Sequence, residues 1–217
     1  MTTIAPQIYL RLKRGQPLNT IACLKKNLEA SIQAKHQLFE DEACLAQFSD
    51  AVKTVVDRYK QGGRIYIAGN GGSAADAQHL AAEFVSKLAR DRDPLPAEAL
   101  TVDSSILTAI GNDYGFEQVF SRQLAGKAST GDIFLGITTS GRSPNILKAL
   151  EQCRIMGLTS LVFTGGDGGP AAGLADHSVI VPGKATSTIQ EIHIVLAHTL
   201  CESVEVALFG EFAKPLS

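Results

Sequence analysis

The sequence has no run of ~18 consecutive apolar residues, the shortest stretch that crosses a bilayer as a helix, so no membrane segment is expected. It has no paired-cysteine motif either. Its four cysteines, Cys23, Cys44, Cys153 and Cys201, are widely spaced, which argues against a disulfide framework and for reduced thiols in a cytoplasmic protein. Net charge is only −2, so there is no bulk attraction to nucleic acid or anionic lipid. Met1 to Leu18 lacks a charged leader followed by a long apolar region, and no signal peptide is expected. What is present is ordinary globular material. With 45% hydrophobic and 19% charged residues, the 217-residue chain suffices for one well-cored domain.

Residues 1–18 carry Pro6, Gly15 and Pro17, show no clear period, and are set aside as an N-terminal extension. Residues 19–217 read as a single domain that begins with a helical pair, 19–61. Asn19 can cap a helix running to about Leu38, and Asp41 to Gln61 reads as a second, closed by Gly62 and Gly63. Ile21, Leu24, Leu28 and Ile32, then Val52, Val55 and Val56, supply apolar stripes that suit packing on a partner subunit. Strand and helix then alternate. Arg64 to Ala68, Ala97 to Val102, Ile133 to Ile137, Ser160 to Thr164 and Ser178 to Val181 read as strands. Ser73 to Ala89, Ser104 to Ile110, Phe116 to Ala125, Pro144 to Met156, Ala171 to Leu174 and Ile189 to Phe209 read as helices. This pattern predicts an α/β three-layer sandwich with a five-stranded parallel sheet flanked by helices.

Two strand-to-helix turns look built for an anion. In the first, Ala68-Gly69-Asn70-Gly71-Gly72-Ser73, the glycines permit positive φ and Ser73 is expected as N-cap. In the second, Thr138-Thr139-Ser140-Gly141-Arg142-Ser143-Pro144 crowds four hydroxyls around one glycine, with Ser143 as N-cap and Pro144 at the first helical position. Free N–H groups and hydroxyls at a helix start suit a phosphate, and both turns follow C-terminal strand ends, where open parallel sheets bind ligands. The helix after the first turn is apolar nearly all round. Yet Asp76, His79, Glu83 and Lys87, at spacings of three, four and four, share one face that points either to solvent or into a polar pocket. A third cluster, Thr186 to Thr188 with Gln190, Glu191, His193 and His198, opens the last helix. Gln190 and His198 stand ~12 Å apart along that helix, so a shared site needs them to lean together or needs another subunit. Gly69, Gly71 and Ala74 also satisfy a dinucleotide fingerprint, but the next strand ends at Asp103, too far on for the acidic partner.

Four segments together resemble the sugar isomerase (SIS) family, and within it the phosphoheptose isomerases. They are AGNGGSAADAQHLAAEF, SILTAIGNDYGFEQVFSRQ, GITTSGRSPNILKAL and IQEIHIVLAH. The resemblance implies a flavodoxin-like five-stranded parallel sheet and a homotetramer with sites between subunits. It implies interconversion of sedoheptulose 7-phosphate and D-glycero-D-manno-heptose 7-phosphate through an enediol. It implies that Ser73, Thr138, Thr139, Ser140 and Ser143 hold the phosphate, and that Asn70, Asn112 and Asp113 hold sugar hydroxyls. Gly71, Gly72, Glu83, Lys87 and Gln190 complete the implied substrate contacts. His79, Glu83, Gln190 and His198 match zinc-binding positions, Glu83 and His198 the acid–base pair, and Asp76 a helper in ring opening. Lys87 stands where the family usually has Arg, so a bidentate grip becomes a point charge. The alternative is a non-catalytic SIS protein that binds a phosphosugar or a replication-initiator partner, although relatives of that kind lack the acid–base pair.

Overall fold

The computed structural model describes residues 19–89 and 91–210, so the expected N-terminal extension lies outside the described residues. Among the described residues two helices come first, α1 (Thr20–Glu40) and α2 (Glu42–Lys60). Both are capped as their sequences suggest: Asn19 accepts from the Ala22 N–H at 3.0 Å, and Asp41 from that of Cys44 at 3.0 Å. The alternating part follows as β1 (Ile65–Gly69), α3 (Gly72–Val85), β2 (Ala97–Ala99) and α4 (Ser104–Tyr114). A 3-10 turn (Phe116–Gln118) leads to α5 (Ser121–Lys127), β3 (Ile133–Thr138) and α6 (Pro144–Met156). Next come β4 (Thr159–Gly165), α7 (Gly169–Leu174), β5 (His177–Val181) and α8 (Thr186–Phe209).

The five strands form one all-parallel sheet in the order β2-β1-β3-β4-β5. Successive side chains of a strand point to opposite faces, and both faces are covered. Ile65 and Ile67 of β1 join Leu80 and Phe84 of α3 and Leu196 and Leu200 of α8 in one core. Tyr66 and Ala68 join Leu124 of α5 and Ile146 and Leu150 of α6 in the other. Phe84 is fully buried, and truncating such a side chain to Ala costs about 3–5 kcal/mol. The chain order reverses between β1 and β3, so the crevice at their C-terminal ends is the switch point where this sheet type binds ligands.

Several boundaries differ from the sequence reading. Helix α3 ends at Val85 rather than Ala89, because Arg92 folds back and donates to the carbonyls of Glu83 and Phe84. Gly111 does not end α4, which runs through it to Tyr114 and stops at Gly115, φ +94°. β2 is an edge strand of three residues rather than a run to Val102. Helix α8 starts at Thr186, so Thr186 to Thr188 lie inside it. By length and composition α8 is apolar enough to cross a membrane, but here it is the core helix. Its Ile192, His193, Leu196, Leu200, Val204 and Glu205 are all buried, and α1 docks on it where Ser31 and Lys35 bond the Glu191 carboxylate.

Candidate active site

The two expected anion loops meet at the switch point. In the first, Gly71 is the N-cap of α3, with φ 57° and ψ −120°, a conformation that disfavours any residue with a Cβ. Ser73 is therefore not the cap but lies inside the first turn, 3% exposed. Gly69 must be small as well, since a Cβ there would run into the Ser73 backbone. In the second loop Ser143 does hold the N-cap position of α6, but its hydroxyl makes no capping bond. It turns instead to Thr138, Oγ to Oγ1 at 3.1 Å, while Ser140 Oγ accepts from the Arg142 N–H at 3.2 Å. Thr138 is buried, Thr139 and Ser143 half-buried and Ser140 exposed, a graded wall of hydroxyls at a helix start. Such an arrangement can hold a phosphate without a fixed cation.

Further along α3, three side chains converge. His79 and Glu83 lie one turn apart on α3, with Nε2 3.4 Å from Oε1. His198 of α8 brings its Nε2 to 2.8 Å from that of His79, the rings meeting edge to face. One donor atom from each of the three lies within 4.8 Å of the others. With both rings neutral, one Nε2 donates and the other accepts. Two imidazoles and a carboxylate are also a zinc ligand set, and turning both lone pairs to one cation would satisfy all three at once. The residues present thus fit a zinc ion.

The other expected residues divide. Asp76, one turn before His79, has its Oδ2 buried with no hydrogen-bond partner among the described residues. Burial pushes its carboxyl above the usual range, and neighbouring His79 only partly offsets this. Gln190 seats its amide against the Cα of Gly72, at the opposite end of α3 from Glu83. Asn70 is engaged by Asn145 in a reciprocal amide pair, with bonds of 2.9 and 2.8 Å. Asn112 donates to Asp113 at 2.7 Å at the end of α4, and Asp113 faces a groove between α4 and α5 rather than the His79 cluster. Lys87 falls beyond α3, so it leaves the stripe that Asp76, His79 and Glu83 form, and its Nζ lies 3.6 Å from Asp91.

Four residues have roles that escape a sequence reading. Asn145, 2% exposed, ties the two loops together through Asn70, and one polar residue in the first turn of an amphipathic helix gives no signal of that. Gly141, φ +63°, lies so close to Gly168 that a Cβ would strike the Gly168 carbonyl, and the Gly141 carbonyl accepts from the Ala171 N–H at 3.1 Å. Arg142 adds a bidentate pair to Asp167 at 2.7 and 2.6 Å, which holds the Asp167 carboxyl well below its usual range. The Gly-rich loop after β4 therefore braces the hydroxyl loop. The fourth is Arg92, whose guanidinium reaches back to the last carbonyls of α3.

Comparison with known proteins agrees with this arrangement. Residues 28–165 match the SIS domain family model. The phosphoheptose isomerase of Aneurinibacillus thermoaerophilus is 50% identical over 186 residues, covering 86% of this chain and 94% of that one. The solved phosphoheptose isomerase of Neisseria gonorrhoeae superposes with a TM-score of 0.80 at 37% identity, covering 85% of this chain and 98% of that one. That of Francisella tularensis superposes at 0.81 with 36% identity, covering 86% and 98%. With similarity running over nearly the whole of these relatives, the chain belongs to the phosphoheptose isomerase family of SIS-domain proteins.

Proposed function

We propose that the chain converts sedoheptulose 7-phosphate to D-glycero-D-manno-heptose 7-phosphate by proton transfer through an enediol. The observation that carries this is the meeting of the Glu83 carboxylate and the His198 imidazole, from two separate helices, in a fold whose switch point also carries a hydroxyl-lined helix start. An aldose–ketose isomerisation needs one base over the carbon and one acid at the carbonyl oxygen. Glu83 takes the proton from C1 while His198 gives one to O2. The enediol then regains a proton at C2 and loses one from O1. Asp76 is suited to assist ring opening, since a carboxyl with a raised pKa carries a proton nearer neutrality. Thr138, Thr139, Ser140, Ser143 and Ser73 hold the phosphate, and Asn70, Asn112 and Asp113 take sugar hydroxyls.

His79, Glu83 and His198 would hold a zinc ion, with Gln190 a fourth ligand only if its amide leaves Gly72. Bound there, zinc would polarise the sugar carbonyl. The molecule works as a homotetramer in this reading. Ile21, Leu24, Leu28 and Ile32 share one face of α1 and are 51–69% exposed, a surface that suits burial against another copy. Light scattering on purified protein tests this, and an active monomer refutes it. A cytoplasmic location suits the free thiols of Cys23, Cys44, Cys153 and Cys201. A non-catalytic binder is not favoured, because the matched relatives are named isomerases. The deciding experiment is incubation of purified protein with sedoheptulose 7-phosphate, followed by detection of the aldose. Folded protein that binds the sugar phosphate without turning it over overturns the proposal.

A further inference from the structure

Glu83 sits two residues from the end of α3, where helix carbonyls have no intrahelical partner and the last turn tends to fray. Here one side chain takes two of those carbonyls, one of which also accepts the Leu95 N–H at 3.0 Å. Arg92, its side chain 1% exposed, donates from Nη2 to the Glu83 carbonyl at 2.9 Å and from Nη1 to that of Phe84 at 2.7 Å. The same guanidinium pairs with Glu205 Oε1 at 2.9 Å, an oxygen that also accepts the Leu88 N–H at 3.1 Å. Glu205 is wholly buried on α8, seven residues after His198, and two helical turns return it to the same face within ~20°. One guanidinium is thus bonded both to the residue carrying the carboxylate and to the helix carrying the imidazole.

Stability alone is a poor reason for this pair. Glu205 Oε2 is buried with no hydrogen-bond partner among the described residues. Such a buried ion pair holds two helices together no better than well-packed apolar residues do, and often worse. What it gives that apolar packing does not is direction: five N–H donors in a fixed plane set the α3 terminus against α8 in one register. We propose that Arg92, seated on Glu205, is a positioning residue that fixes Glu83 against His198 for proton transfer. The proposal rests on the acid–base reading of Glu83 and His198.

The test compares Arg92→Lys, Glu83→Gln and the double variant by circular dichroism, light scattering and steady-state turnover of sedoheptulose 7-phosphate. Lys keeps the charge but cannot bond Glu205 and two carbonyls at once. Misplacing a catalytic group by ~1 Å costs ~10² in rate, so folded Arg92→Lys should lose about that much kcat with KM within about threefold. Added to Glu83→Gln, the same change should lower kcat less than about threefold further, because the group it positions is already lost. Wild-type kcat in folded Arg92→Lys overturns the proposal, as does a loss that multiplies onto Glu83→Gln. If Arg92→Lys does not fold, the isosteric Glu205→Gln is read the same way, and failure of both to fold makes the pair structural only. Wild-type kcat in Glu83→Gln overturns the acid–base reading itself, a result separate from any outcome for Arg92.

Discussion

Acid should destabilise this protein through His193. His193 is 0% exposed on the core face of α8. Its Nε2 donates to the Thr164 carbonyl at 3.3 Å, and its Nδ1 has no partner among the described residues. The ring packs near Phe163, centroids 6.2 Å apart. A proton added at Nδ1 would bring a charge into this core with no acceptor, so burial drops the pKa from 6.5 to about 4. The native ring stays neutral while the unfolded chain takes up the proton. Stability is therefore complete above pH 6.5 and is lost as pH falls toward 4. The gap is about 2.5 pH units, which at 1.36 kcal/mol each sets a ceiling of about 3 kcal/mol. At pH 5.0 the loss should be about 2 kcal/mol relative to pH 7.5. Urea unfolding at those two pH values, at one protein concentration, should show His193→Gln losing about 2 kcal/mol less than wild type between them. Asp76, whose raised pKa works in the opposite direction, is common to both proteins and cancels. Equal losses in the two proteins would refute the argument.

Glu83→Gln should keep fold and substrate affinity but lose ~10²–10⁴ in kcat, and wild-type turnover would remove Glu83 from the acid–base pair. Ser140→Ala and Ser143→Ala should each weaken phosphate binding by about 1.5–3 kcal/mol, read as inhibition by inorganic phosphate. Equal inhibition of the double variant and wild type would misplace the cradle. Gly141→Ala should cost about 1–3 kcal/mol of stability from its positive φ, plus the clash with Gly168, and should weaken phosphate inhibition as well. A normal thermal midpoint would mean the two loops are not braced there. Chelated protein titrated with zinc should bind one ion per subunit, and His79→Ala should abolish that binding; an unchanged isotherm would exclude the cluster as the metal site.

Much of the candidate site was legible because it is local. A strand, a glycine turn and a hydroxyl-rich helix start occupy a few consecutive residues, and the α3 stripe of Asp76, His79 and Glu83 follows from helical spacing alone. The one stripe residue that failed, Lys87, failed for a non-local reason: α3 is stopped by a guanidinium from the loop beyond it. The cap expected at Ser73 falls to Gly71 instead, while Ser143 does hold the N-cap position of α6 but turns its hydroxyl to Thr138.

The sequence by itself determined the α/β alternation, the five parallel strands and the two glycine- and hydroxyl-rich strand-to-helix turns, and its family resemblance named His79, Glu83 and His198. Periodicity, capping and turn chemistry act within a few residues, and each can be read where it stands. Only the tertiary structure decided that His198 meets His79, that Asn145 locks Asn70, that the Gly168 loop braces Gly141 and that Arg92 and Glu205 seat α3 on α8. Each of these joins residues separated by other elements. Which distant groups touch is set by the sheet order β2-β1-β3-β4-β5 and by how α3 and α8 pack over it, because side-chain contacts depend on packing that no local spacing encodes.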